Sequence, residues 1–194
     1  GCGKSMLASA IMGLIAHPGK VTGGSIQFEG QELAGMKKKD LRRIRGTGIS
    51  MIFQEPMTSL NPLMTCGRQI VETITSHEKV SKAEKERALD MIRSVGIARP
   101  EKVFSEVPAQ LSGGMRQRIM IAMALICRPR LLICDEPTTA LDVTVQAQIL
   151  GLIRRLQKET GTSVIFISHD MGVISQMADR VAVMYAGQLV EYAE

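Results

Sequence analysis

The chain has 194 residues, of which 45% are hydrophobic and 22% are charged, a composition typical of a folded globular domain and not of a disordered segment. Its apolar runs are far shorter than the ~20 residues that a membrane-spanning helix needs, so no span is predicted. Lysine and arginine outnumber aspartate and glutamate by 24 to 19, and the net charge of +5 favours an anionic partner. Because aromatic residues make up only 3% and tryptophan is absent, a nucleic-acid partner is disfavoured.

The four cysteines show none of the close pairings that mark metal sites or disulfide frameworks. They are Cys2, Cys66, Cys127 and Cys134. We therefore predict free thiols in a reducing compartment and no metal site built from cysteine. The first residue is Gly1 and not methionine, and it lies inside a motif, so we expect a fragment that is truncated at both ends.

The first part of the chain alternates helical and strand patterns. Residues 6–15 are apolar almost all round, which predicts a buried helix. Residues 25–29 alternate like a half-buried strand, and residues 37–45 form a basic, helical stretch whose expected role is a solvated face. Residues 48–53 predict another strand. The helical periodicity of residues 55–115 then indicates a helical insert between strands.

The second part of the chain has the pattern strand, helix, strand. Residues 131–134 and 163–168 are continuous apolar strands, and a stripe of apolar residues between 149 and 156 predicts the helix that joins them. A further helix is predicted after Asp170, and the pattern of residues 181–192 predicts a β-hairpin. Apolar strands that alternate with helices indicate an α/β fold with a mainly parallel sheet covered by helices on both faces.

The chain opens with Gly-Cys-Gly-Lys-Ser, the last five positions of the phosphate-binding pattern G-x-x-x-x-G-K-[ST]. In the complete pattern the loop N–H groups surround the phosphates, the lysine neutralises them and the hydroxyl binds Mg²⁺. Lys4 and Ser5 are present for these two roles. A pentapeptide alone is weak evidence, and the apolar helix that follows it strengthens the assignment.

A second glycine-rich turn, at residues 111–118, runs directly into an apolar helical stretch. Adjacent glycines, Gly113 and Gly114, let backbone N–H groups face outward, and Ser112 can cap the helix. Together with the partial positive charge of the helix N-terminus, these features predict a phosphate-binding turn. Taken alone, the stretch also fits an ordinary N-capped helix.

Polar residues follow three of the predicted strands. Asp135 and Glu136 follow residues 131–134, Gln54 follows residues 48–53, and His169 follows residues 163–168. The carboxyl ends of parallel strands meet at one sheet edge, where ligands bind. There Asp135 could hold Mg²⁺, and Glu136 could deprotonate a water molecule. The amide of Gln54 could contact the Mg²⁺ or that water, and His169 could donate a hydrogen bond to a phosphate. The alternative is that Asp135 and Glu136 only cap the next helix and that His169 has a structural role.

These residues, in this order, resemble the ATP-binding-cassette family over essentially the whole chain. The six matching motifs are a truncated Walker A (Gly1 to Ser5), the Q-loop (Gln54), the signature (Leu111 to Met115), Walker B (Leu131 to Glu136), the D-loop (Ala140 to Asp142) and the switch histidine (His169). The resemblance implies one P-loop NTPase domain over 1–194, with a RecA-like core at 1–54 and 116–194 and a helical subdomain at 55–115.

The resemblance also implies roles for individual residues in ATP binding and hydrolysis. Nucleotide contacts are implied for Gly1, Cys2, Gly3, Lys4, Ser5, Gln54, Ser112, Gly113, Gly114, Asp135, Asp142 and His169. Catalytic roles are implied for Glu136, His169 and Gln54, and Mg²⁺ binding, partly through water, for Ser5, Gln54 and Asp135. Because the first three Walker A positions precede Gly1, we expect this segment to bind ATP poorly on its own.

Residues 53–62 and 135–146 look like those of the dipeptide and oligopeptide importer ATPases, and the nickel and glutathione importer ATPases are similar enough to share them. The resemblance implies a head-to-tail homo- or heterodimer at the cytoplasmic face of the cell membrane, where each signature turn closes over ATP on the partner. Residues 55–115 would contact transmembrane permease subunits, which receive substrate from a periplasmic or extracellular binding protein. No nucleic-acid partner is expected.

Three alternatives stay within the same family. A soluble cassette protein of chromosomes or DNA repair would separate the Walker A and signature motifs by a long coiled coil, which the spacing here argues against. A ribosome-acting protein with two cassettes in tandem remains open. A silent cassette that only completes the site of its partner is disfavoured by the intact Glu136 and His169.

Overall fold

The computed structural model describes residues 2–54, 59–77, 83–139 and 141–194. The helices in these ranges are α1 (Lys4–Ile11), α2 (Lys38–Ile44), α3 (Cys66–Thr75), α4 (Glu84–Ser94), α5 (Pro100–Ser105), α6 (Gly113–Leu125), α7 (Val143–Thr160) and α8 (Met171–Met177). The strands are β1 (Gln27–Phe28), β2 (Gln31–Glu32), β3 (Ile49–Ile52), β4 (Leu131–Asp135), β5 (Ser163–Ile167), β6 (Val181–Tyr185) and β7 (Gln188–Ala193). None of the helices described is both long enough and apolar enough to cross a bilayer.

The central sheet consists of three parallel strands in the order β3-β4-β5. In its register, Ile52 lies beside Cys134, and Asp135 lies beside Ile167. Strand β4 is almost fully buried, as its continuous apolar sequence predicts. The predicted α/β fold with a parallel sheet and flanking helices is therefore confirmed, and the three strand ends that carry polar residues lie next to one another.

Two apolar clusters cover the faces of this sheet. The larger cluster joins α3, α4, α6 and α7 to one face, and it contains the stripe Ile149, Leu152, Ile153 and Leu156 predicted for α7. The smaller cluster packs Ala8 of α1 against Ile133 of β4 on the other face. Helices of the predicted insert thus share one continuous core with the sheet.

The first helix differs from its prediction at residues 6–15. It begins at Lys4, immediately after Gly3, whose φ of 92° ends the preceding loop, and it ends at Ile11 before Gly13. The prediction that the helix is buried all round is wrong, since the side chain of Met6 is 59% exposed and only Ala8 within the helix is buried. One face of α1 packs on the sheet, and the opposite face carries the exposed apolar residues.

The strand predicted at residues 25–29 is shorter than expected. It covers Gln27–Phe28 and pairs in antiparallel fashion with Gln31–Glu32, a strand that was not predicted because it has no apolar residue. At the other end of the chain, the predicted hairpin is confirmed: β6 and β7 pair in antiparallel fashion around Ala186 and Gly187, both with positive φ.

One side of the sheet opens onto a groove of about 600 Å³, lined by α1, β5, α8 and β6. Strand β5 is one of the two outer strands of the three-stranded sheet, and Ile165 at its centre is 39% exposed. The predicted helical cover over both sheet faces is therefore incomplete at β5, although it is nearly complete at β4.

Candidate active site

The loop before α1 places two of the predicted phosphate-binding side chains. Gly3 is the N-cap residue of α1, and its left-handed backbone directs Lys4 and Ser5 into the first helical turn. The carbonyl oxygen of Cys2 accepts a hydrogen bond of 3.1 Å from the N–H of Gly187, which ties the loop to the β6–β7 hairpin. Gly1, the first residue of the predicted motif, lies outside the described residues.

Ser5 and Asp135 are 130 residues apart in the sequence but meet at the end of β4, where the Ser5 hydroxyl donates to Asp135 Oδ1 at 3.0 Å. Asp135 is only 4% exposed. Burial raises the pKa of its carboxyl, against the opposing effects of the Ser5 hydrogen bond and the positive charge of Lys4. A buried carboxylate whose charge is incompletely balanced is a favourable place for a cation.

The donor set at this point fits Mg²⁺. A hydroxyl and a carboxylate in contact are hard oxygen ligands, and Mg²⁺ typically takes one or two protein ligands while keeping water and phosphate oxygens. Within the ranges that the structure describes, no group of three or more histidine, cysteine, aspartate or glutamate side chains could hold a metal ion. Ser5 and Asp135 are thus the residues that would hold Mg²⁺ here, with phosphate or water completing its coordination.

The carboxylate of Glu136 lies at the centre of a cluster built from three segments. Its Oε2 accepts hydrogen bonds of 3.1 Å from Gln54 Nε2 and from Thr139 Oγ1, and its Oε1 lies 3.1 Å from His169 Nδ1. The N–H of Glu136 donates to the carbonyl oxygen of Ile167 at 3.0 Å, which extends the pairing of β4 with β5 by one residue. Gln54, Glu136 and His169, predicted from their positions after three strands, are therefore brought together.

The neighbours of Glu136 determine its charge state. Burial pushes the pKa of the carboxyl upward, but hydrogen bonds from His169 and Thr139, with the electrostatic effects of His169 and Lys4, more than offset this effect. The pKa of Glu136 is therefore below its ordinary value, and the side chain is an acceptor at neutral pH. An ionised carboxylate is the form that can remove a proton from water.

Sequence reasoning missed Thr139 as a member of this cluster. Thr139 lies three residues after Glu136, and its backbone N–H donates to the Glu136 carbonyl oxygen at 3.2 Å, forming a turn. Threonine in such a turn commonly bonds to nearby residues, so the spacing of three residues was a usable signal.

The second glycine-rich turn forms the N-terminus of α6, as predicted. Ser112 caps the helix by accepting a hydrogen bond of 3.4 Å from the N–H of Met115. Gly114 packs so closely against α7 that an added Cβ would lie 2.9 Å from Val145 Cγ1, so the turn adjoins the start of that helix. Gly113, at the first helical position, has looser surroundings.

The start of α7 beside this turn carries the last predicted site residue. Asp142 caps α7 by accepting a hydrogen bond of 2.9 Å from the N–H of Val145. Ala140, predicted as part of the same loop, lies outside the described residues. The predicted site residues that the structure describes thus form two groups, one at the sheet edge and one where α6 and α7 begin.

The family of this chain follows from comparison with known proteins. Residues 1–139 match the ABC transporter family. The chain belongs to the ABC transporter family. A solved dimer of the ATP-binding cassette MJ0796, in a post-hydrolysis state with bound ADP and Pi, superimposes on 100% of this ABC chain with a TM-score of 0.85. The two are 27% identical in sequence, and the match covers 81% of the MJ0796 chain.

Among curated relatives, the similarity is to ATP-binding proteins of peptide transport. The ABC chain is 57% identical to the oligopeptide transport ATP-binding protein OppD of Bacillus subtilis (strain 168) and 55% identical to the dipeptide transport ATP-binding protein DppD of the same strain. Each match covers 98% of this chain. The chain spans 54% of the length of OppD and 58% of the length of DppD, so it corresponds to little more than half of each relative.

Proposed function

We propose that this chain is the ATP-binding and ATP-hydrolysing part of a membrane ABC importer for dipeptides or oligopeptides. The observation that carries the catalytic part is the Glu136 carboxylate, which is held by Gln54, Thr139 and His169. It is next in sequence to the Asp135 that contacts Ser5. The observation that supports the substrate class is the identity of 57% and 55% to two peptide-transport ATP-binding proteins over 98% of the chain.

Each residue at the sheet edge has a proposed role. Lys4 and the N–H groups of residues 1–5 bind the β- and γ-phosphates, and Ser5 and Asp135 would hold Mg²⁺. Bound Mg²⁺ would neutralise charge on the phosphate oxygens. Glu136 accepts the proton of the attacking water, while His169 donates to the γ-phosphate and Gln54 contacts the Mg²⁺ shell.

The remaining predicted residues act between subunits in this proposal. Ser112, Gly113 and Gly114 approach the γ-phosphate of ATP on a second cassette, and Asp142 lies at the same interface. Residues 1–54 and 116–194 form the nucleotide-binding core, and residues 55–115 form the subdomain that contacts permease subunits at the cytoplasmic face of the membrane. ATP then stabilises the closed dimer, and hydrolysis releases it.

The enzymatic part is tested with the protein isolated from its own cells together with its partners. Glu136→Gln keeps the shape of the side chain but removes its basicity, so we expect Mg-ATP hydrolysis to fall by about 100-fold or more while ATP binding persists. Glu159→Gln, at an exposed position near the end of α7, is the matched control and is expected to hydrolyse at the wild-type rate. Equal hydrolysis by Glu136→Gln and wild type would overturn the proposed activity.

The substrate class is tested by uptake in those cells. Cells that carry Glu136→Gln should lose uptake of a labelled tripeptide, while uptake of a labelled free amino acid should be unchanged. Loss of nickel or glutathione uptake with normal peptide uptake would contradict the peptide assignment and leave the ATPase assignment intact.

A further inference from the structure

The three partners of the Glu136 carboxylate differ in how firmly they are tied to it. Gln54 lies two residues beyond β3, and His169 lies two residues beyond β5, so both reach Glu136 from other segments of the chain. The His169 side chain is 70% exposed, whereas that of Glu136 is 16% exposed. Thr139 belongs to the same turn as Glu136, and the bond from its N–H to the Glu136 carbonyl oxygen fixes their separation.

In the proposed function, Gln54 and His169 have a second task. His169 would donate to the γ-phosphate and Gln54 would contact the Mg²⁺ shell, so the positions of both side chains would depend on bound nucleotide as well as on Glu136. The position of the Thr139 hydroxyl is instead set by the turn that Thr139 shares with Glu136, where it donates to Oε2 at 3.1 Å.

We propose that Thr139 is a positioning residue whose hydroxyl holds the Glu136 carboxylate in its catalytic orientation while Gln54 and His169 also engage the nucleotide. The hydroxyl donates its hydrogen to Oε2, so Thr139 does not compete for Oε1, the oxygen that would accept the proton of the water. The left-handed backbone of Glu136, with a φ of 46°, makes the orientation depend on this local turn. This inference rests on the proposed function.

The kinetic test compares Thr139→Val, which removes the hydroxyl but keeps the shape, with Thr139→Ser, which restores it. In the protein isolated from its own cells, we expect Thr139→Val to lower kcat about tenfold, the effect of one hydrogen bond to a charged group, with KM and ATP affinity unchanged. Thr139→Ser should recover most of kcat. Thr22→Val, at an exposed threonine in the loop before β1 and outside both groups of site residues, is the control and should match wild type.

Three kinetic results would overturn the positioning role. They are an unchanged kcat in Thr139→Val, an equal loss of kcat and ATP affinity, and a failure of Thr139→Ser to recover activity. If Glu136→Gln is introduced first, adding Thr139→Val should cause no further loss, because the group to be positioned has lost its basicity. A further tenfold loss in that background would show that Thr139 acts on something else.

A crystallographic test separates this inference from the proposed function. In the nucleotide-free double variant Gln54→Ala/His169→Ala, we expect the Glu136 carboxylate to keep its position on the Thr139 hydroxyl. Adding Thr139→Val should displace or disorder it. A Glu136 carboxylate that stays in place in the triple variant would overturn the role of Thr139, even if the wild-type protein hydrolyses ATP. Absence of ATP hydrolysis by the wild type would instead overturn the proposed function, and this crystallographic comparison would still decide whether Thr139 positions the carboxylate.

Discussion

Glu136 has a strained backbone, and both of its carboxylate oxygens have hydrogen-bond partners. A non-glycine residue with a φ of 46° costs about 1–3 kcal/mol, and such a conformation persists only where surrounding bonds enforce it. Here the N–H of Glu136 bonds to Ile167 and its carbonyl oxygen accepts from Thr139. The position of Glu136 after an apolar strand was predictable from the sequence, and the spacing of three residues was a usable signal for Thr139. The left-handed backbone of Glu136 was not predictable, because it depends on bonds to Ile167 in another strand as well as to Thr139.

A second carboxylate, Glu32, organises the β1–β2 segment and gives a prediction of pH dependence. Hydrogen bonds from the Ser25 hydroxyl and from the N–H groups of Ile26 and Ala34 lower the pKa of Glu32. A lowered folded-state pKa means that the stabilisation is present above the unfolded-state pKa and is lost as the pH falls through the folded-state value. We expect Glu32→Gln to lower the melting temperature at pH 7, and the difference from wild type to shrink below about pH 4.

Thermal unfolding followed by circular dichroism between pH 3 and pH 8 measures this difference. Glu159→Gln, at an exposed position on α7, provides the reference for removal of a surface charge. A destabilisation by Glu32→Gln that stays constant across the pH range would rule out the role of the ionised carboxylate.

At the scale of elements, long apolar patterns were more informative than short polar ones. Strands β3, β4 and β5 are continuous apolar runs and were predicted to within about two residues, whereas Gln31–Glu32 was missed because its pairing depends on the turn at Glu29 and Gly30. The burial of residues 6–15 was overpredicted, because an apolar sequence indicates which faces can be buried and not which faces have a neighbour.

Helix packing in the larger cluster gives a prediction with an internal control. Helix α3 approaches α5 so closely that a Cβ added at Gly67 would lie 2.2 Å from Phe104 Cγ. We expect Gly67→Ala to lower the free energy of unfolding by about 1–3 kcal/mol, because the ring has to move. In helix α7, a Cβ at Gly151 meets no atom within 4 Å, so Gly151→Ala should raise stability by about 0.5–1 kcal/mol.

Urea unfolding of the two variants in parallel measures both effects. The same glycine-to-alanine change made in two helices cancels the contribution of helix propensity, so the difference between the variants reports the contact with Phe104. Equal stability of Gly67→Ala and Gly151→Ala would mean that the ring accommodates the methyl group without cost.

At the scale of the whole molecule, the proposed site residues lie in two places that serve different subunits in the proposed dimer. This separation predicts complementation between two inactive variants. Lys4→Ala disables the phosphate loop, and Gly113→Glu places a carboxylate on the signature turn, where it repels phosphate. An added Cβ at Gly113 meets only Leu141 Cδ2, at 3.9 Å, and an acidic residue in a first helical turn is compatible with folding.

Each variant alone should be inactive, and an equal mixture should recover about a quarter of wild-type hydrolysis, because half of the dimers are mixed and each contains one intact site. The measurement is the ATPase rate after the subunits have exchanged. Activity that stays at the level of the separate variants would argue against a site shared between two copies of this chain.

The hydrogen bond from the N–H of Gly187 to the carbonyl oxygen of Cys2 couples the β6–β7 hairpin to the loop before α1. A backbone amide exchanges its hydrogen for deuterium when its hydrogen bond opens, and local openings need less free energy than global unfolding. Opening of the loop before α1 would therefore expose the Gly187 amide to exchange while the amides of the buried strand β4 stay protected. Deuterium uptake at this one amide thus follows the phosphate-binding loop from a distant part of the sequence.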